Sequence, residues 1–233
     1  MCGRYVSATP PEQIAASFLA TAPVAPLPLS YNVAPTQNVY AVVSEDGALR
    51  MEVFRWGFTP RWAKAGKATP LLINARAETL AEKPSFRASL GSRRCLIPAD
   101  GFYEWRTNPV DPKRGRKQPF FIHHPAGDSY AFAGLWELQG SAGAEGTPPQ
   151  SCVIITTTPN APMGRIHARM PAILPPSAWD EWLNREHTDL EVLGDLLVPA
   201  AAEVIAIHAV SPEVNNTRHD GPSLIAPVAE EVQ

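Results

Sequence analysis

The chain has 233 residues, and its 20 Lys and Arg against 23 Asp and Glu give a formal net charge of -3. With 45% hydrophobic and 18% charged residues it can bury a core, which excludes a disordered polyelectrolyte, and the global charge excludes a protein that coats nucleic acid by bulk positive charge. The length suits one domain, because single cores grow to roughly 250 residues before splitting.

Thr9-Pro10-Pro11-Glu12 reads as a capping box with proline at the first helical position, and Ile14, Phe18 and Leu19 follow at helical spacing. Strands are predicted where β-branched and aromatic runs are bounded by turn residues: Asn38 to Val43, Met51 to Trp56, Phe102 to Arg106, Pro119 to His123, Tyr130 to Glu137 and Cys152 to Thr157. Short helices are expected over Ser177 to Asn184 and Thr188 to Leu197, then a last strand over Val204 to Val210. Asn108 to Lys117 and Gly140 to Gln150 read as Gly/Pro-rich insertions, and the chain beyond Pro222 as a frayed tail. The 25 prolines, about twice the usual share, agree with many short elements.

The cysteines are Cys2, Cys95 and Cys152, with no CxxC and no paired Cys/His spacing, so neither a disulfide framework nor a zinc site is expected. Neither a signal peptide nor an 18-residue apolar stretch is present, so the expectation is a cytoplasmic protein of a reducing compartment, away from membranes. No cofactor or metal is called for, and a monomer is expected.

The net charge hides an asymmetry. Arg55 to Lys117 holds 14 basic and 5 acidic residues, a local +9, and the remainder holds 6 basic and 18 acidic, or -12. A basic middle lies in an acidic frame.

Cys2 is the most informative position. Loss of Met1 would leave a cysteine with a free α-amine and a thiol, whose unperturbed pKa values are roughly 7.7 to 8.0 and about 8.5, so both are available as nucleophiles near neutrality. The amine can attack an aldehyde to give a Schiff base, and the thiol can close a thiazolidine ring. An incidental N-terminal cysteine is the alternative. His167, in Arg165-Ile166-His167-Ala168-Arg169-Met170-Pro171, is either an acid/base group or a surface loop histidine. In Gly101-Phe102-Tyr103-Glu104-Trp105, alternation puts Phe102 and Glu104 on one face and Tyr103 and Trp105 on the other. Glu104 is then either a partly desolvated carboxylate suited to proton transfer or an ordinary strand residue. Asn74 and Arg76 project together from a strand end and suit a carbonyl or phosphate oxygen. Trp56-Gly57-Phe58 and Arg61-Trp62 mix aromatics and cations, which suits base stacking, although a tryptophan-rich core with solvated lysines is the commoner origin of such a stretch. Cys95 and Cys152 sit in apolar runs and read as buried thiols.

These segments, with Met1-Cys2-Gly3-Arg4-Tyr5, Tyr31-Asn32-Val33-Ala34-Pro35-Thr36, Arg94-Cys95-Leu96-Ile97-Pro98-Ala99-Asp100 and Val214-Asn215, resemble the SRAP family of abasic site processing proteins over nearly the whole chain. The resemblance implies a single α+β domain over 1–225 with a short C-terminal tail, a twisted, partly barrel-like mixed β-sheet core with short flanking helices, and a basic groove for single-stranded DNA. It implies that mature Cys2 is the nucleophile and that Asn74, Glu104 and His167 occupy active-site positions. Arg4, Trp56, Phe58, Trp62, Arg76, Thr156 and Thr157 fall where the family contacts DNA. The expected function is covalent capture of an abasic site in single-stranded DNA, with removal of Met1 by the same groups. Two rivals are an N-terminal-nucleophile amidase of the class II glutamine amidotransferase type, which also begins Cys-Gly, and a non-covalent single-strand binding module. The first is disfavoured because the chain has no Asn-Gly dipeptide, and the second leaves Cys2 unexplained.

Overall fold

Runs of β-branched and aromatic residues separated by Gly, Pro and Asp turns produce many short strands and few helices. A computed structural model of the protein describes residues 2–60, 71–107, 117–138 and 150–229. In chain order the elements are β1 (Tyr5–Ser7), α1 (Pro11–Ser17), β2 (Ser30–Val33), β3 (Asn38–Glu45), β4 (Ala48–Trp56), β5 (Asn74–Arg76), α2 (Pro84–Ser92), β6 (Arg94–Ala99), β7 (Gly101–Arg106) and β8 (Gln118–His123). There follow β9 (Tyr130–Leu138), β10 (Gln150–Thr157), α3 (Ala161–Gly164), β11 (Met170–Pro171), α4 (Trp179–Leu183), α5 (Leu190–Asp195) and β12 (Ala206–Ala209). The two predicted insertions and Trp62 lie almost wholly or wholly outside the described residues.

The strands form two sheets in an α+β architecture. One runs β12-β8-β7-β1-β2, and the other β11-β10-β4-β3-β6-β9, where a further β9 to β10 pairing closes β4, β3, β6, β9 and β10 into a ring. This is the partly barrel-like core expected from the sequence. β9 is buried along almost its entire length, which explains its near-continuous apolar run Tyr130-Ala131-Phe132-Ala133-Gly134-Leu135-Trp136. Gly134 sits where β9 is squeezed between β6 and β10: a Cβ there would lie 2.9 Å from Cys95 Sγ and 3.1 Å from the Val153 carbonyl oxygen. Alternate residues of the ring strands feed two clusters. Val42, Met51, Leu96, Leu135 and Ile155 pack with Ile14, Phe18, Phe86 and Trp182 of the helices. Ala41, Phe54, Ile97, Phe132 and Ile154 pack with Tyr5, Phe102 and Phe120 of the five-stranded sheet and with Cys2 just before β1.

Three local expectations are corrected. The N-terminal helix forms, but Thr9 does not cap it: its hydroxyl donates to Asp100 Oδ1 at 2.8 Å, while the Ala8 and Thr9 amides donate to Asp100 Oδ2. The carboxylate in the β6–β7 turn outcompetes the helix end because it gathers three donors of this segment, besides the Ser129 hydroxyl. The chain beyond Pro222 is not frayed over its described part. Leu224 is buried, the Ile225 carbonyl lies 2.8 Å from His208 Nε2, and the Val228 amide donates to the Ala209 carbonyl at 2.9 Å. Within Ser177 to Asn184, a 3₁₀ turn ends at Ala178 and only Trp179–Leu183 is α-helical.

All three thiols are fully buried, as expected for Cys95 and Cys152, and burial pushes each above the ordinary thiol range. Above about pH 8.5 the unfolded thiols ionise while the folded ones stay protonated. The unfolded state then holds fewer protons, so stability falls with rising pH, by up to about 1.4 kcal/mol per unit for each thiol. In reductant, the urea midpoint is expected to drop clearly between pH 7.5 and 9.5, and an unchanged midpoint contradicts this.

Candidate active site

Four elements deliver the four expected active-site residues to one place. β1 pairs antiparallel with β7, Tyr5 opposite Phe102 and Val6 opposite Gly101, and the Tyr103 amide donates to the Arg4 carbonyl at 3.0 Å. The same line carried back along the chain runs Cys2 and Gly3 beside Glu104. β7 alternates as its sequence requires: Phe102 joins the Cys2 cluster and Tyr103 a separate one with Val6 and Phe121. Glu104 is 2% exposed. It is close enough to Cys2 for its negative charge to act with burial, the larger effect, in raising the thiol. The Arg4 amide, hydrogen-bonded to the sulfur, opposes this weakly.

β5 is short because it exists only as a partner of β10, with Asn74, Ala75 and Arg76 in parallel register with Ile154, Ile155 and Thr156. That register turns Asn74 toward the N-terminus, and its Nδ2 donates to the Cys2 carbonyl oxygen at 2.9 Å. Asn74 Oδ1 is buried and has no hydrogen-bond partner among the described residues. His167 follows α3, whose start is capped by Asn160: Asn160 Oδ1 accepts from the Met163 amide at 3.1 Å and its Nδ2 donates to the Ala200 carbonyl at 2.8 Å. The His167 amide then donates to the Met163 carbonyl at 2.9 Å, and Nδ1 comes to 3.8 Å from Glu104 Oε1. Cys2, Asn74, Glu104 and His167 thus form a continuous set. A buried carboxylate beside a thiol, an amide on the adjacent carbonyl and an imidazole at the rim are groups that can exchange protons with a molecule held among them.

The residues expected against DNA separate into groups. Trp56 and Phe58 are completely buried, which corrects the stacking expectation. Trp56 packs against Tyr5, its Nε1 donates to the Ile73 carbonyl at 2.9 Å, and Phe58 packs against Phe86. The tryptophan-rich core is the correct reading for both. Thr156 lies beside Arg76, as expected, through the β5–β10 register, but both threonines are buried and Thr156 Oγ1 donates to the Ala75 carbonyl. Arg4 is half-buried, with Nη1 donating to Asn32 Oδ1 and the Val214 carbonyl and its guanidinium 6.0 Å from the Trp105 ring. Arg76 is exposed beside this set. The basic middle is also thinned by inward cations, since Arg93 pairs with Glu137 at 2.9 Å and Arg94 is only 4% exposed.

Composition singled out neither Glu78 nor the role of Arg169. Glu78 lies in the turn directly after β5, and Arg169 sits two residues past His167. Their bidentate pair measures 2.6 and 2.9 Å. The signal available in the sequence was their opposite charge within two motifs that each carry a site residue. No group of three or more His, Cys, Asp or Glu suited to a metal ion occurs among the described residues, and no described helix is long and apolar enough to cross a membrane.

Residues 1–217 match the SOS response associated peptidase (SRAP) family. The chain belongs to that family. It is 43% identical over 227 residues to the abasic site processing protein YoqW of Bacillus subtilis, covering 97% of this chain and 99% of the relative. It is 32% identical to the abasic site processing protein YedK of Escherichia coli, covering 98% and 100%. Among solved structures, a Bacteroides thetaiotaomicron protein superposes with a TM-score of 0.82 at 26% identity, over 98% of this chain and all of that one. The SRAP architecture expected from the sequence is therefore the architecture present.

Proposed function

We propose that this SRAP protein processes abasic sites in single-stranded DNA by covalent capture through Cys2. The observation that carries the reading is the convergence of Cys2, Asn74, Glu104 and His167 from four separate elements onto one site. Membership of a family whose similar members are named abasic site processing proteins supports the substrate.

In the proposed sequence, water first cleaves the Met1–Cys2 peptide bond, releasing methionine and freeing the Cys2 amine. The unprotonated amine adds to the aldehyde of the ring-opened sugar, and loss of water leaves a C=N bond. The thiol sulfur then adds to that carbon, and its proton passes to the ring nitrogen, closing the thiazolidine. Asn74 Nδ2 holds the Cys2 carbonyl, and its Oδ1, a buried acceptor without a partner among the described residues, is proposed to take up a hydrogen bond from the Cys2 amine once Met1 has left. Glu104 shuttles the proton lost by the amine and thiol. His167 serves the sugar hydroxyl during ring opening. Arg76, exposed at the end of β5, contacts a backbone phosphate.

Purified protein incubated with single-stranded DNA carrying one abasic site is expected to give a DNA band retarded after boiling in denaturant. An undamaged strand gives none. Absence of the band with the damaged strand overturns the reading. The Met1 step has its own check: Glu104→Gln protein is expected to retain Met1 by intact mass while the native chain has lost it, and complete loss from the variant means that either a cellular aminopeptidase suffices or Glu104 is not needed for that step.

A further inference from the structure

We propose that Glu78 is a positioning residue for His167, acting through Arg169; the assignment of a catalytic role to His167 rests on the reading above. Three strands carry the argument. β5 and β11 lie along β10 at the same level, Arg76 in register with Thr156 and Pro171 in register with Thr156. The turn after β5 carries Glu78, and the residue before β11 is Arg169. The two side chains meet in a bidentate pair at 2.6 and 2.9 Å, and Arg169 Nη2 also donates to the Thr156 carbonyl at 2.5 Å. This clamp joins the strand that bears Asn74 to the loop that bears His167.

The clamp bears on chemistry because of what the Arg169 backbone does. Its N–H lies 3.0 Å from His167 Nδ1 and its carbonyl oxygen 3.1 Å from the same nitrogen. A neutral ring can accept from the N–H at Nδ1, and a charged ring can donate from Nδ1 to the carbonyl. One backbone residue therefore holds the ring in either protonation state, which an acid/base group needs if it is to take and return a proton without swinging away. Holding depends on the Arg169 main chain staying put, and Arg169 is fixed by its side chain. The Arg169 side chain is 16% exposed and its Glu78 partner 46% exposed. The carboxylate is held below its usual range chiefly by the Arg169 hydrogen bonds, so it stays ionised and paired near neutral pH. A planar fork on a carboxylate fixes direction as well as distance, which a lysine in place of Arg169 would not.

Glu78→Gln keeps the shape and removes the charge. The first-order rate of adduct formation on saturating abasic single-stranded DNA is expected to fall about tenfold, a magnitude typical of removing a partner that orients a site residue. Affinity for undamaged single-stranded DNA, read by fluorescence anisotropy, should not weaken, because the variant gains no negative charge and loses one. In a His167→Ala background, Glu78→Gln should cost nothing further, since the residue it orients is gone. A full tenfold loss in that background, or an unchanged rate in the native background, overturns the proposal. A second readout does not depend on adduct formation: the ring ¹⁵N and ¹³C resonances of His167 should move in Glu78→Gln while those of His208, on the other sheet, stay. Static His167 resonances overturn the proposal even if the native protein forms no adduct, whereas a native protein without adduct whose His167 resonances do respond fails only the reading above.

Discussion

Cys2→Ala protein is expected to form no boiling-resistant adduct with abasic single-stranded DNA unless borohydride is added. The substitution keeps a primary amine at the N-terminus and removes the sulfur. The amine still condenses with the aldehyde, but the C=N bond hydrolyses on denaturation because no thiol is present to close the ring. Borohydride transfers hydride to the imine carbon, leaving a stable secondary amine, so reductant restores the band in the variant and is not needed by the native protein. The order of attack follows from the environment of Cys2. Burial and the Glu104 charge hold the thiol protonated, whereas an α-amine is substantially unprotonated near its ordinary pKa of about 8. The amine therefore attacks first, and the sulfur follows by giving up its proton as the ring closes. Adduct formation should accelerate as pH rises toward that value. Equal bands from Cys2→Ala and native protein without reductant would sink the thiazolidine, because a Schiff base alone would then account for the product.

What the sequence could and could not disclose divides along a physical line. Strands with local alternation or dense β-formers, such as β4, β7 and β9, were legible because period and propensity lie within one segment. β6 was not, because it opens on Arg94 and contains Pro98, and a proline argues against a central strand. It is nevertheless paired on both sides, with β3 and β9. β1, β2 and β5 are three or four residues long and form only because other strands offer them an edge. α2 lacks a sharp apolar stripe, with Gly91 and three serines among its nine residues. The chemical groups of the site were legible as types. Their convergence was legible only through likeness to a family, since the distance from residue 2 to residue 167 along the chain is closed by sheet pairing alone. The cation and aromatic mixture around Trp56 suits a DNA surface or a core, because composition cannot say which face of a strand is inside, and only the family resemblance set it against DNA. Trp56 resolves it: the indole is core, and its N–H is satisfied by a backbone carbonyl.

Arg94→Leu is expected to destabilise the fold by about 3 to 5 kcal/mol, because several buried carbonyls lose a charged donor at a cost of about 1 to 3 kcal/mol each. Arg94 begins β6 and is 4% exposed, yet no carboxylate pairs with it among the described contacts. Its guanidinium is held by carbonyls: Nε donates to Trp182 at 2.5 Å, Nη1 to Leu90 at 2.6 Å, and Nη2 to Asn184 and to His187, the latter at 3.0 Å. Leu90 lies in α2, Trp182 in α4, and Asn184 and His187 in the turn after α4. One side chain therefore satisfies the otherwise orphaned carbonyls at the end of one helix and late in another, while its plane lies 5.8 Å from the Trp182 ring. Withdrawal from water pushes its pKa down to about 10, still above neutrality, so the group stays charged in the folded protein. Leucine fills part of the volume and leaves the Trp182, Leu90 and His187 carbonyls without their donor, while the Asn184 carbonyl keeps the His187 amide; hydrophobic gain at a site ringed by oxygens does not offset that loss. For a chain of this length the change corresponds to a melting temperature lower by roughly 10 °C. Lysine at the position keeps the charge but cannot serve four acceptors from one ammonium, so Arg94→Lys should recover only part of the loss. Thermal melts of the two variants decide the matter: if Arg94→Leu melts within about 2 °C of the native protein, less than the shift from 1 kcal/mol, the carbonyl cage is not what holds α2 and α4 to the ring of strands.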